Sequence, residues 1–437
     1  EVIPLTCFEI ASGTEVFEWL VPKEWVMNEA YIANSAGKRI IDVKNHGLHL
    51  MSYSSKFRGK LSNSDLQKHL MSLPKQPEAI PYATTYYTDR WKFCLSHNDR
   101  INMTDAFYDV VVDTEKKSNG SLTLSEAVLK GQSEKEIFIS AYTCHPYMCN
   151  DSLSGAIVAA FLYEKLAQMP KEKRKYTYRF VFIPETIGAV AYLKLKGNEL
   201  KSNVVAGYVL TCIGDSGYFT YKRSRQKTSI ADIEMIKHLK SYIGPTDPYG
   251  ENMGVVHDFW CAGSDERQYC SPAFNLPIGC VCRSMYGHFK EYHTSTDDMT
   301  FVKPEYLAES VNFMYELFMK LEKLDMTVAS MPERPSIFPP ISATNVPISG
   351  MSRFVSLVPY GEPQLGRRGM YYTTGSGHRS PQIRISAILW LLAYSTGAHP
   401  LKQIAFLSKR HYQDTSSKSV TTNYMMESAT VEDLVLV

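Results

Sequence analysis

Four residues stand where metal-assisted hydrolysis would need them: His145, Asp151, Glu185 and His293. His145 and Asp151 close a stretch, 137–155, that begins as an apolar strand and runs into an apolar helix from Ala156. Open α/β sheets place their ligands beyond the carboxyl ends of strands. Neutral imidazole and carboxylate oxygen are donors that zinc accepts. The plain alternative is a loop histidine followed by an aspartate that caps a helix. Glu185 ends a second strand at Pro184-Glu185-Thr186-Ile187-Gly188. There it could serve as general base on a metal-bound water, whose pKa falls towards about 7 on zinc. Otherwise it is first-turn helix decoration. His293 sits in the polar loop 283–298, after a strand over 276–282. Asp297 or Asp298 could accept its second ring N–H and fix the tautomer. His288 is the competing ligand.

The elements that must position these residues alternate between 135 and about 325. Strands are expected over 137–142, 177–183, 203–213 and 276–282. Helices are expected over 156–168, from 188, over 230–243 and over 304–324. Such alternation predicts a mostly parallel sheet covered on both faces. Residues 1–130 read as β-rich. The run 14–21 alternates with period two, as a half-buried strand should. Tyr31-Ile32-Ala33 and 39–43 flank a hairpin-like turn, and 48–53 is a further strand candidate. Five aromatics between Tyr82 and Cys94 point to core or to a domain contact. Five prolines between Met331 and Ile348 mark 326–362 as a linker. In the third unit, 363–437, helices over 380–394 and 401–408 surround a tight turn, as in a winged-helix module.

Composition narrows the function. The chain has 437 residues, of which 44% are hydrophobic and 21% charged, an ordinary globular balance. A formal net charge of +2 argues against a dominant nucleic-acid or anionic-membrane role. No apolar run reaches the roughly 18 residues of a membrane span. Nine cysteines without a Cys-x-x-Cys pair read as reduced thiols, and so as cytoplasmic.

Asp151-Ser152-Leu153-Ser154-Gly155, Glu185-Thr186-Ile187-Gly188, Ser264-Asp265 and Tyr292-His293-Thr294-Ser295-Thr296-Asp297 follow the order of M28 zinc aminopeptidase motifs. The whole chain resembles a bacterial aminopeptidase-like family that joins this core to a small N-terminal β domain and a C-terminal winged helix. The longer stretches Arg90-Trp91-Lys92-Phe93-Cys94-Leu95-Ser96-His97, Gly263-Ser264-Asp265-Glu266-Arg267-Gln268-Tyr269 and Glu362-Pro363-Gln364-Leu365-Gly366-Arg367-Arg368-Gly369 carry that resemblance most specifically. It implies a zinc-exopeptidase-like three-layer α/β core over 131–325. It also implies a helix ahead of the present first residue. M28 enzymes hold two metals, and two of their five ligand positions are here Thr186 and Thr211.

What remains, His145, Asp151 and His293, is a three-ligand zinc site with one open position. The expectation is therefore one zinc ion, with Glu185 as base. Asp265, Glu266, Arg283 and Tyr292 are the expected substrate-binding residues, and the substrate is a small peptide or an aminoacyl amide. Self-association is left open. Two other readings differ in class. One is a catalytically silent binding protein on a peptidase scaffold. The other is a DNA-binding regulator, against which the acidic Glu427, Glu432 and Asp433 offset the basic residues of the last unit.

Overall fold

The computed structural model describes residues 3–242, 255–326, 353–368 and 380–416. Its centre is an eight-stranded sheet. In chain order the strands are β1 (Thr6–Ala11), β2 (Ser121–Leu129), β3 (Glu136–Tyr142), β4 (Thr177–Ile183), β5 (Val204–Leu210), β6 (Thr220–Lys222), β7 (Val255–His257) and β8 (Ile278–Cys282). The spatial order is β1-β2-β4-β3-β5-β8-β6-β7. The central strands β4, β3, β5 and β8 are parallel, as the βα alternation predicts. The flanks are antiparallel, at β1–β2, β2–β4 and β6–β8, so the sheet is mixed.

Side chains alternate across the strands and split the core in two. Ile137, Ile139 and Ala141 of β3 face helices α1 (Gly155–Ala167), α3 (Ile230–Ser241) and α5 (Pro304–Leu321). Phe138 faces the other way, towards α2 (Ile187–Asn203) and the short α4 (Glu266–Tyr269). Helices on both faces make the three-layer α/β architecture that the sequence implies. Gly155 opens α1 directly under β5. A Cβ there would lie 2.0 Å from the Leu210 carbonyl oxygen, so a side chain would push the helix off the sheet.

β1 and β2 are hydrogen-bonded into this large sheet, so it reaches across the boundary expected at 130. Short strands far apart in sequence give no local sign of which sheet they join. Four other N-terminal strands form an antiparallel sheet ordered Arg39–Asp42, Glu24–Ala33, Phe107–Lys117, Phe57–Ser62, with its own apolar core. Two local expectations are corrected. The run 14–21 is a tight hairpin, Glu15–Val16 against Trp19–Leu20, turning at Phe17 with φ +53°. Each arm alternates, which mimics one strand. Residues 48–53 give a 3-10 turn, Gly47–His49, followed by isolated bridges at Leu50 and Ser52.

At the C-terminal end, α6 (Ser380–Tyr394) and α7 (Leu401–Ser416) flank a strand, Thr396–Pro400, where the sequence suggests only a turn. That strand pairs with Arg353–Val355. Leu389, Trp390 and Tyr394 pack against Phe259, Cys261 and Cys270, which seats this unit on the core. The proline-rich part of the expected linker lies outside the described residues. No helix among the described residues is long and apolar enough to cross a membrane.

Candidate metal centre

The parallel strands β4, β3, β5 and β8 end side by side, and the loops beyond β3, β4 and β8 carry the site. His145 follows β3, and Asp151 lies in the turn that leads into α1. Glu185 follows β4, with its side chain 24% exposed. His293 comes from the loop after β8 and has φ +55°. The donor atoms of His145, Asp151 and His293 all lie within 4.8 Å of one another. His293 Nε2 is 3.0 Å from Asp151 Oδ2. His145 Nε2 is 3.9 Å from Asp151 Oδ2 and 3.9 Å from Glu185 Oε2.

The second carboxylate oxygen of Asp151 is already engaged. Tyr142 Oη donates to Oδ1 at 2.6 Å, and Thr211 Oγ1 donates to Tyr142 Oη at 2.7 Å. Oδ2 of Asp151 and Nε2 of His293 are buried and make no well-aligned hydrogen bond to a protein group, close as they are to each other. Burial would raise the Asp151 carboxyl, but His145, His293 and the Tyr142 hydroxyl outweigh it and hold it at about 2. A buried carboxylate kept ionised beside two imidazoles, with donor atoms left bare, fits a divalent cation of zinc's preferences. Cys144, His145 and Glu185 form an overlapping group. In it Cys144 Sγ accepts the Glu185 N–H at 3.1 Å and lies 3.3 Å from His145 Nδ1. Burial and the nearby Glu185 carboxylate push that thiol upward, which disfavours a thiolate ligand.

Asp297 does not hold the His293 ring, as the sequence suggested. Its carboxylate accepts the backbone N–H of Asn150 at 2.6 Å and of Asp151 at 2.9 Å. It therefore clamps the turn that carries Asp151. Asp298 serves its own turn, accepting from Thr300. His288 lies outside both candidate ligand groups.

The expected substrate residues separate. Tyr292 stacks on His293, with ring centroids 3.9 Å apart and planes at 12°. Asp265 is fully buried, and its Oδ1 accepts the Thr186 N–H at 2.7 Å. Burial drives the carboxyls of Glu185 and Asp265 upward. Arg267 donates to Thr186 Oγ1 at 2.9 Å and pairs with Glu362 at 2.9 Å. Glu266 points elsewhere, into a fully buried pair with Lys222 at 2.5 Å. Arg283 braces α5 through Ser310 and Glu309 and reaches the Gly217 carbonyl. These last two are committed to packing rather than to the cleft.

The site has a wall that the sequence reading did not place there. The Tyr82 ring packs edge-on to His293 at 5.1 Å and lies 5.3 Å from the His145 ring. Residues 80–82 run along 293–295: Tyr82 N–H donates to His293 O, Ser295 N–H to Ile80 O, and Ile80 N–H to Ser295 Oγ. The N-terminal segment thus fixes the loop that carries His293. The aromatic density from Tyr82 to Cys94 was the available signal.

The comparisons with known proteins bear on the fold and the family. Residues 1–324 match the family described as a domain of unknown function, DUF4910. Residues 352–418 match a winged helix-turn-helix family. A Clostridium acetobutylicum protein is 37% identical over 411 residues, covering 94% of this chain and 85% of its own length. Its name gives an inferred role in polysaccharide biosynthesis and an aminopeptidase-like domain. A crystal structure of an inferred peptidase from Clostridium acetobutylicum superposes with TM-score 0.68 at 35% identity, covering 95% of this chain and 86% of that one. A zinc aminopeptidase from Bacillus subtilis shares the fold at 9% identity and TM-score 0.50, over 74% of this chain and 87% of its own. An M28 peptidase precursor from Shewanella amazonensis does so at 13% identity and TM-score 0.51, over 74% and 85%. The chain thus belongs to the DUF4910 family, an aminopeptidase-like core of M28 fold that here continues into a winged helix.

Proposed function

We propose that the chain is a metal-dependent hydrolase of an amide bond, with one zinc ion held by His145, Asp151 and His293. The observation that carries this reading is the convergence of three donor atoms within 4.8 Å, two of them buried without an aligned hydrogen bond. Zinc bound there supplies Lewis acidity, bringing a water towards a pKa of about 7 and polarising the scissile carbonyl.

The chain's own residues do the rest. The Glu185 carboxylate, 3.9 Å from His145 Nε2, takes the proton of the attacking water and delivers it to the leaving amine. Burial gives it the raised proton affinity that such a shuttle uses. Tyr142 and Asp297 hold Asp151 in place, and Tyr82 and Tyr292 hold the His293 ring between them. Asp265, with one bare buried oxygen behind Thr186, is the candidate partner of the substrate's free amine. The substrate class is a small peptide or an aminoacyl amide. The name of the Clostridium relative extends it to amides of glycan precursors. Nine unpaired cysteines support placement in a reducing compartment, the cytoplasm.

The test is Glu185→Gln, assayed for zinc content and for hydrolysis of an aminoacyl amide library. The expected result is retained zinc with turnover down about 10²–10⁴-fold. A variant that keeps wild-type turnover removes Glu185 from the mechanism. A wild type that binds zinc and substrate without turnover moves the reading to a silent binding protein.

A further inference from the structure

We propose that Tyr142, locked by Thr211, is a positioning residue that decides which oxygen of Asp151 a cation can use. This rests on the reading that His145, Asp151 and His293 form the metal site.

Three observations carry it. First, the relay is complete and dry. Thr211 Oγ1 donates to Tyr142 Oη, Tyr142 Oη donates to Asp151 Oδ1, and Thr211 and Asp151 are fully buried with Tyr142 at 3% exposure. With its own proton given to Asp151 and a proton received from Thr211, the phenol has one orientation. Second, the relay discriminates between the two oxygens. Oδ1 carries the 2.6 Å bond, whereas Oδ2 makes no aligned hydrogen bond and faces His293 Nε2 at 3.0 Å. Third, Tyr142 grips the same turn twice. Its carbonyl oxygen accepts from Ser152 Oγ at 2.6 Å, so backbone and side chain of one strand-end residue hold two consecutive residues of the metal loop. Tyr142 is itself fixed as the last residue of β3, opposite Ile183 in β4.

The chemistry follows from what the Tyr142 proton takes from Oδ1. A carboxylate with both oxygens free can chelate one ion or bridge two. With part of the charge on Oδ1 taken by the Tyr142 proton, Oδ2 is the stronger donor, alongside two imidazole nitrogens. That donor set suits a small tetrahedral ion and serves poorly a large hard ion that wants both carboxylate oxygens. Groups that hydrogen-bond a ligand from behind typically change metal affinity about 10–100-fold when removed.

The experiment is zinc titration against a chromogenic chelator for wild type, Tyr142→Phe and Thr211→Val, each matched to wild type by metal-free thermal unfolding. Tyr142→Phe keeps the ring and loses only the hydroxyl. It is expected to weaken zinc about 10–100-fold, with Thr211→Val weakening it less, because Tyr142 can still donate. A calcium titration alongside should show the zinc preference of Tyr142→Phe reduced, a readout that a purely structural role would leave unmoved. If wild type binds one zinc and either folded variant binds it as tightly, with unchanged preference over calcium, the relay proposal fails while the metal site stands. If wild type binds no zinc, the site reading itself fails, and this one with it. Should Tyr142→Phe not fold, Thr211→Val alone decides.

Discussion

Two clusters, each around a buried carboxylate, lie against this sheet, and they balance their charge in opposite ways. In one, Glu266 and Lys222 are both wholly buried and 2.5 Å apart. Lys222 Nζ also donates to the Ala262 carbonyl at 2.6 Å and to Tyr286 Oη at 3.2 Å, and sits 3.9 Å from the Trp260 ring centroid. Lysine and glutamate meet there as a charge contact rather than an aligned hydrogen bond, with the cation supplied from within the fold. In the other, Asp151 is just as buried, yet its neighbours are two imidazole rings, and its Oδ2 makes no aligned hydrogen bond. A carboxylate removed from water needs a cation or a proton. The first cluster carries its own cation, and the second, on the proposed reading, takes one from solution.

The sharpest way to break this contrast is to remove a donor from the cluster that receives. His293→Ala leaves two donors of three. Because metal affinity is shared among few ligands, zinc bound per chain should fall from one to none in a metal analysis after desalting. Retention of zinc by this variant would move the third ligand to Cys144 or Glu185, the overlapping group around His145.

Lys222→Met tests the other cluster. It leaves the Glu266 charge buried without its partner, which typically costs about 3–5 kcal/mol. Denaturant unfolding should show that loss. Zinc per chain in the folded protein should stay as in wild type. A variant of unchanged stability would mean that water or a proton compensates Glu266, and the distinction between the clusters would weaken.

The contrast also marks what a sequence can reveal. His145 and Glu185 were legible because each ends an apolar run that reads as a strand, and strand ends converge when the strands are parallel and adjacent. The boundaries of α1, α3 and α5 were legible from apolar period and flanking residues to within a few positions. Tyr142 was not, since in sequence it is one more residue of a buried strand. Its partner Thr211 lies 69 positions away. Glu266 and Arg283 were misjudged for the same reason: a charged residue near a motif looks available until its partner, Lys222 or Glu309, is brought to it by the fold. The hairpin at 14–21 and the entry of β1 and β2 into the large sheet depend on pairings that no local pattern encodes.

The smallest effect tests how far the receiving cluster leans on a distant part of the chain. His293 is set in place by three hydrogen bonds from 80–82 to 293–295, and one of them uses the Ser295 hydroxyl. Ser295→Ala removes that acceptor and leaves the Ile80 N–H without its partner, while the two backbone bonds remain. A single hydrogen bond of this kind is worth about 0.5–1.5 kcal/mol. If all of it were felt at the His293 loop, zinc affinity would fall no more than about tenfold, because 1.4 kcal/mol is one decade in an equilibrium constant. Titration should therefore show a loss of a few-fold, with Tyr82 still packed on the ring. A loss as large as that of His293→Ala would mean that the N-terminal segment, rather than the strand ends, builds the site. No loss at all would mean that the loop after β8 holds His293 unaided, as the Lys222 cluster holds its own charge.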